Sequence, residues 1–344
     1  MQTNSILVIG PSWVGDIVMA QSLFKIIKRE QPDVKIDVLA PSWSAGLLKR
    51  MPEIRYVLHH NLEHGKLGWK ERRKLATEIR NYQYQQAIML PNSWKSALIP
   101  FFAKIPKRTG YLGEMRYGLL NDIRKKKFEK TISQFVALGL PKNDPKADKV
   151  IPKPLLNRGN IKKSIQKVGL TSVSNRPILA LCPGAEYGAA KRWPVENYIT
   201  CAKYKISKGW QVWIFGSEKE VPLGAEIQSV AGKNCISLCG KTALPEVIDL
   251  LSISKAIICN DSGLMHVAAA LNKPLVAVFG SSNPNMTPPL SNQARIISLK
   301  LKCSPCYQRN CPKKHLKCLR DITPAKVMTI LNTYEQKQKV LQTK

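Results

Sequence analysis

The apolar run Ala256–Cys259 leads without a spacer into Asn260-Asp261-Ser262-Gly263, and then into Leu264-Met265-His266-Val267-Ala268-Ala269-Ala270-Leu271. A continuous apolar stretch bounded by small polar residues reads as a strand buried on both faces. The Ala- and Leu-rich stretch behind it reads as a helix. A strand that passes through a tight turn straight into a helix is the unit of a doubly wound parallel sheet, so this segment limits the chain to an α/β fold. It also creates an anion site. The first N–H groups of a helix have no intrahelical acceptor, the helix dipole adds partial positive charge, and Gly263 lets a phosphate approach the backbone.

The same pattern recurs. Ile6-Leu7-Val8-Ile9-Gly10 runs into Pro11-Ser12-Trp13-Val14-Gly15-Asp16, and Ile178-Leu179-Ala180-Leu181-Cys182 runs into Pro183-Gly184-Ala185-Glu186-Tyr187-Gly188. Each opens an alternation of strands and helices. Further strands are expected near Lys35–Leu39, Tyr56–Leu58 and Gln86–Leu90, and near Gln211–Phe215, Cys235–Leu238, Ala256–Cys259, Leu275–Phe279 and Arg295–Ser298. Helices are expected at Ile17–Arg29 and Pro245–Leu251. The Pro- and Lys-rich stretch Pro141–Asp148, with Pro152 and Pro154, marks a linker. The expected organisation is two Rossmann-like domains facing each other across a cleft, residues 1–155 and 156–323, followed by a helix-compatible segment, 324–344, with Val327, Ile330 and Leu331 on one face.

With 54 Lys and Arg against 23 Asp and Glu, the net charge of +31 draws the chain toward polyanions. Nucleic acid, anionic lipid head groups and phosphorylated glycolipids all fit, as does a general basic bias of surface residues. RNA binding would call for aromatic and basic residues interleaved in one region, and the sequence concentrates them nowhere. The chain has no apolar run long enough to span a bilayer and opens directly on a strand, so a cytoplasmic protein with peripheral membrane contact is expected. Cys182, Cys201, Cys235, Cys239 and Cys259 lie in or beside apolar segments and read as small core residues.

Asp16 closes the first strand–turn–helix loop, which in an open parallel sheet faces the ligand crevice. It fits a general base for a hydroxyl and, equally, a cap of the following helix. That loop lacks the Gly-x-Gly-x-x-Gly pattern of a dinucleotide site. Lys191 and Arg192, after the second loop, fit fixed cations beside a diphosphate or a solvated basic pair. Gly216, Ser217 and Glu218 end another strand, with the Glu a candidate for ribose hydroxyls or an ordinary first-turn acid. His266 stands one turn behind Asp261, as a phosphate or sugar contact or as a structural histidine. The chain has no Asp-x-Asp pair, which disfavours a divalent-cation-dependent sugar transferase. Cys303, Cys306, Cys311 and Cys318, with His315 among them, have a spacing compatible with a structural zinc, or with a reduced Cys-rich loop beside the cleft.

These motifs, in this order, resemble the ADP-heptose–lipopolysaccharide heptosyltransferases. The resemblance is carried by Ser12-Trp13-Val14-Gly15-Asp16, by Cys182-Pro183-Gly184-Ala185-Glu186 with Lys191-Arg192-Trp193-Pro194, and by Asp261-Ser262-Gly263-Leu264-Met265-His266. The Trp of the first loop, Leu90–Ser96, Arg108-Thr109-Gly110 with Met115–Gly118, and the Cys-x-x-Cys region place it nearer the members that add the second heptose. The resemblance spans Ile6 to about Arg320 and implies a glycosyltransferase-B fold whose terminal helix packs back on the N-terminal domain. It implies inverting, metal-independent transfer of L-glycero-D-manno-heptose from ADP-heptose to the first heptose of the inner core, with no cofactor. The first-heptose enzymes and later core transferases are the nearest alternatives. It further implies Asp16 as base, and Lys191, Arg192, Gly184, Ala185, Ser262 and Gly263 around the donor diphosphate. Asp261 and His266 complete the donor pocket, with Gly216, Ser217 and Glu218 near the nucleoside. Ser12, Trp13, Lys95, Arg108 and Arg116 are its acceptor contacts. The implied partner is an anionic inner-core glycolipid at the cytoplasmic face of the inner membrane.

Overall fold

The computed structural model describes residues 4–62, 65–170 and 175–342, with side chains as far as Tyr334. The chain divides into two compact units, residues 1–154 and 155–344. Unit 1 is built on β1 (Ser5–Ile9), β2 (Lys35–Pro41), β3 (Ile54–His60), β4 (Gln86–Met89), β5 (Lys107–Tyr111) and β6 (Asp122–Arg124). Unit 2 is built on β7 (Ile178–Cys182), β8 (Gln211–Ile214), β9 (Cys235–Ser237), β10 (Ala256–Asn260), β11 (Leu275–Val278) and β12 (Ala294–Ile297).

All named strand pairs are parallel. The first sheet has the order β3-β2-β1-β4-β5-β6 and the second β12-β11-β10-β7-β8-β9. Read from the first strand of each unit, both are the doubly wound order 3-2-1-4-5-6. The echo between the two halves is therefore a repeat of topology. In such a sheet the crevice opens where the strand order reverses, beyond the carboxyl ends of the two central strands. Those strands are β1 and β4 in unit 1, whose pairing ends at Ile9↔Met89, and β7 and β10 in unit 2, ending at Cys182↔Cys259.

The central strands are those the apolar runs mark. Every residue of β1, β7, β10 and β11 is buried, as a strand covered by helices on both faces must be. Cys182, Cys201, Cys235, Cys239 and Cys259 are buried, and burial raises their thiol pKa values, which suits core residues. The strands β5 and β6 were not expected. Lys107-Arg108-Thr109-Gly110-Tyr111 has a polar start, and pairing with β4 on one side and β6 on the other makes it a strand.

The helix Val14–Glu30, which begins at the β1 loop, buries ten of its residues, Leu23, Phe24, Ile26 and Ile27 among them. The helix Thr131–Gly139 packs closely against it: a Cβ at Gly139 would stand 2.7 Å from the Leu23 side chain. The segment read as a linker is largely part of unit 1. Ala147 is buried, Ser133 donates to Asp148 Oδ1 at 2.6 Å, Ser22 donates to the Pro152 carbonyl, and Lys25 to that of Lys153 at 2.8 Å. The chain leaves unit 1 at Pro154, and Leu156 N–H bonds the Ala270 carbonyl at 3.2 Å in unit 2.

The terminal helix runs Pro324–Gln342, and Thr343 and Lys344 lie outside the described residues. Val327, Met328 and Leu331 insert into the core of unit 2, and Trp193 Nε1 bonds the Ile322 carbonyl just before the helix at 2.9 Å. This part of the helix thus belongs to unit 2 and is not a separate segment.

Candidate active site

In unit 2 the loops that follow β7, β10 and β11 converge. Lys191 Nζ stands 2.6 Å from Asp261 Oδ2, and Ser282 donates to the same oxygen at 2.5 Å. Asp261 is buried and the lysine side chain is 18% exposed, so the pair is shielded but open on one side. The ammonium also lies 4.9 Å from the centre of the Tyr187 ring, close enough for a cation–π contact. Arg309 lies 5.4 Å from the same ring.

The arrangement is held from beneath by Asn260, the last residue of β10. Its carbonyl oxygen accepts from Trp193 N–H at 3.0 Å and from the Tyr198 hydroxyl at 2.9 Å, and its amide donates to the Pro183 carbonyl at 2.6 Å. One fully buried amide thereby ties the start and the end of the β7 loop to β10, satisfying groups that would be costly to bury unpaired.

Ser262 is the N-cap of the helix Gly263–Ala270, and its hydroxyl makes no capping bond. The first turn is left without a side-chain acceptor, and an anion of matching geometry could take that place. His266 is buried inside this helix. Burial lowers its pKa from 6.5 to about 4, with Asp261 opposing and Lys191 reinforcing the shift. The imidazole is therefore neutral at pH 7, and an anion there would be met by a neutral imidazole. Because the folded value lies below the unfolded one, stability from this group is present above pH 6.5 and is lost as pH falls toward 4. His60 is lowered to about 4 as well, by burial and by Arg72, and acts over the same window. In urea titrations across that range, His266→Gln is expected to flatten the decline in unfolding free energy; an unchanged slope would assign the decline to other groups.

The remaining donor candidates divide by role. A Cβ at Gly184 would lie 2.8 Å from Glu220, and one at Gly216 2.6 Å from it, so both glycines admit a buried glutamate. Glu220 accepts from the Ser217 N–H at 2.8 Å and from its hydroxyl at 2.6 Å, a capping box that fixes the loop after β8. Ser217 and Glu218 are exposed. Arg192 is exposed too and folds back on the Ala185 carbonyl, with Nε and Nη2 each at 3.3 Å, so Ala185 contributes through its backbone.

The cysteine segment supports this loop. Among the described residues, no group of three or more His, Cys, Asp or Glu side chains is arranged to hold a metal ion, while Cys318 lies within electrostatic reach of Cys303, Cys306 and Cys311. Cys318 is turned into the core while the other three are half-buried. The backbone does the work here. The Arg309 carbonyl accepts from Ala190 N–H at 2.9 Å, and the Tyr307 carbonyl accepts from the Tyr187 hydroxyl at 2.6 Å. A Cβ at Gly188 would lie 2.4 Å from that Arg309 oxygen, so only glycine permits the approach.

In unit 1, Asp16 is the third residue of the helix Val14–Glu30, half-buried in its first turn, and the N-cap position belongs to Trp13. This puts Asp16 inside the first turn, where the helix dipole favours negative charge. Ser12 and Trp13 are exposed beside it. Lys95 is half-buried in the first turn of the helix Trp94–Phe102, after β4. Asp16 and Lys95 thus follow the two central strands of the first sheet.

Two acceptor candidates are engaged by the protein's own backbone. Arg116 is buried, its guanidinium donating to the carbonyls of Tyr111, Pro91 and Ser93 and to Ser96 Oγ at 2.6–3.2 Å. Burial pushes its pKa down to about 10, so it stays charged while bracing the loop after β4. Arg116→Ala would remove the donor that ties the Tyr111 carbonyl to those of Pro91 and Ser93, which keep Ser96 as a partner, and is expected to cost about 1–3 kcal/mol, read as a lowered Tm. Arg108 likewise donates to the Leu119 and Ile105 carbonyls at 2.7 and 2.8 Å. A cavity of about 580 Å³ lies along β3, lined by Leu48, Tyr56 and Tyr82 among others, and none of the candidate residues lines it.

Two Rossmann-like domains of identical strand order, one with a lysine–aspartate pair beside an uncapped helix start, define the class: a glycosyltransferase of the two-domain B type. The family model of glycosyltransferase family 9 (heptosyltransferase) matches residues 72–317. The chain is 45% identical over 339 residues to lipopolysaccharide heptosyltransferase 2 of Salmonella typhimurium, covering 95% of this chain and 97% of that one. It is 46% identical over 309 residues to lipooligosaccharide heptosyltransferase 2 of Haemophilus influenzae, with 86% and 88% covered. The solved structure of the E. coli ADP-heptose lps heptosyltransferase II superposes with a TM-score of 0.86 at 42% identity, covering 97% of this chain and 99% of that one. The chain belongs to glycosyltransferase family 9, the heptosyltransferases.

Proposed function

We propose that this enzyme transfers L-glycero-D-manno-heptose from ADP-heptose to the first heptose of the lipopolysaccharide inner core, with inversion at the anomeric carbon. The observation that carries the donor half is the Lys191–Asp261–Ser282 cluster beside the open first turn at Ser262-Gly263. A diphosphate leaving group gathers negative charge as the glycosidic bond breaks. A fixed ammonium and a helix start meet that charge where it develops. Asp261 orients the ammonium, and Ser282 holds Asp261. Gly216, Ser217 and Glu218 border the nucleoside.

Asp16 accepts the proton of the acceptor hydroxyl as that oxygen attacks the oxocarbenium-like anomeric carbon. One displacement by the acceptor gives inversion. Because Lys191 and the helix start supply the positive charge, turnover is independent of a divalent cation. Ser12, Trp13 and Lys95 contact the acceptor, whose anionic groups suit the net charge of +31. Among the described residues no helix is long and apolar enough to cross a membrane, and the reading places the enzyme at the cytoplasmic face of the inner membrane.

The test is product analysis by mass spectrometry with ADP-heptose and two acceptors, one carrying the first heptose and one lacking it, each with and without a chelator. Transfer only to the first acceptor, unaffected by chelation, is the expected result. Transfer to the acceptor lacking the first heptose would make this a first-heptose enzyme. Loss of activity on chelation would remove the role given to Lys191.

A further inference from the structure

Unit 1 carries an aromatic patch that neither the donor nor the acceptor assignments use. Trp69, at the start of the helix Trp69–Arg80, meets Phe102 edge-on at 5.1 Å, and Phe102 meets Phe101 at 5.6 Å. Trp69 is 42% exposed and Phe101 40%, large apolar surfaces to leave in water side by side. The rim is cationic. Arg73 lies 5.6 Å from the Phe102 ring, Arg80 donates to the Phe102 carbonyl at 2.7 Å, and Lys70, Lys74 and Lys104, all exposed, neighbour these residues in the chain. Glu71 and Glu78 are the acids on the same helix, so the cations prevail.

We infer that the Trp69–Phe101–Phe102 face, with Lys70, Arg73 and Lys74, seats unit 1 on an anionic phospholipid surface. A buried protein partner would match the rings but would have to desolvate five flanking cations. Nucleic acid would match the cations but gives two adjacent, edge-packed rings no base stack. A bilayer interface matches both: indole and phenyl groups settle at head-group depth while Lys and Arg meet the lipid phosphates. The surface shares with the proposed function the premise of a lipid-linked acceptor, yet it is testable with neither donor nor acceptor present.

The experiment is co-sedimentation of the full chain with phosphatidylcholine vesicles that contain or lack phosphatidylglycerol. Binding is expected only to the phosphatidylglycerol vesicles, and is expected to weaken with salt. The exposed-residue variants Trp69→Ala/Phe101→Ser and Arg73→Glu/Lys74→Glu should each lower the partition constant by about tenfold or more, while turnover of detergent-dispersed acceptor stays at the parent rate. Either variant binding like the parent overturns the inference. So does a loss of turnover in detergent equal to the loss on vesicles, which would make the patch an acceptor contact, or a shift from dimer to monomer in light scattering, which would make it a subunit interface. Failure of any of these leaves the transfer reaction to be judged by its own assay.

Discussion

Asp16→Asn is expected to lower kcat by about 10²–10⁴-fold and to leave the KM for ADP-heptose near that of the parent. The substitution keeps the shape of the side chain and its place in the first turn of the helix Val14–Glu30, and removes its charge and with it the ability to take a proton. The packing that positions this helix, with Leu23 and Ile26 against Gly139, lies well along the helix from the substitution, so stability should change little. Steady-state kinetics with purified enzyme check this. Turnover near the parent rate would show that the base is another group.

Lys191→Met should lower kcat with ADP-heptose by about 10²–10³-fold, the scale on which single charge-stabilising donors act. Here stability changes as well. Asp261 is 6% exposed and bonded at 2.6 Å to the lysine, so removing the cation leaves a buried carboxylate with Ser282 as its remaining partner in the cluster. Breaking such a pair costs about 3–5 kcal/mol. Adding Asp261→Asn to Lys191→Met should restore most of the lost Tm without restoring activity. The two readouts then part company, as a purely structural ion pair would not allow. Recovery of turnover in the double variant would overturn the role of Lys191 in leaving-group stabilisation.

The central strands were legible because burial on both faces requires uninterrupted apolar residues, and Ser5–Ile9, Ile178–Cys182 and Ala256–Asn260 have them. The loops at their carboxyl ends could then be singled out, since a polar Gly-containing turn between a buried strand and a helix has few other uses. Asp16, Lys191, Asp261 and His266 all came from that reasoning. The strands β5 and β6 were hidden because Lys107–Tyr111 and Asp122–Arg124 owe their form to neighbours, and no periodicity marks them.

Side-chain direction was likewise beyond reach. Arg116 and Arg108 lie two residues from glycines in basic stretches, like ligand contacts, yet the fold turns both guanidiniums onto backbone carbonyls. Ser282 follows β11 in a Gly-Ser-Ser turn that resembles many others, and only the tertiary placement of Asp261 gives its hydroxyl a purpose. The cysteine segment shows the same limit: its contacts to the β7 loop run through the carbonyls of Tyr307 and Arg309, which no side-chain pattern encodes.

What the sequence determined by itself was the fold class, its duplication and the loops at the carboxyl ends of the central strands, because these follow from local apolar pattern and from the few residues a strand–helix turn accepts. What the tertiary structure alone decided was which cations brace the frame through backbone carbonyls. A guanidinium or ammonium bonds whatever acceptor folding brings within about 3 Å, and residues far apart in the chain supply those acceptors.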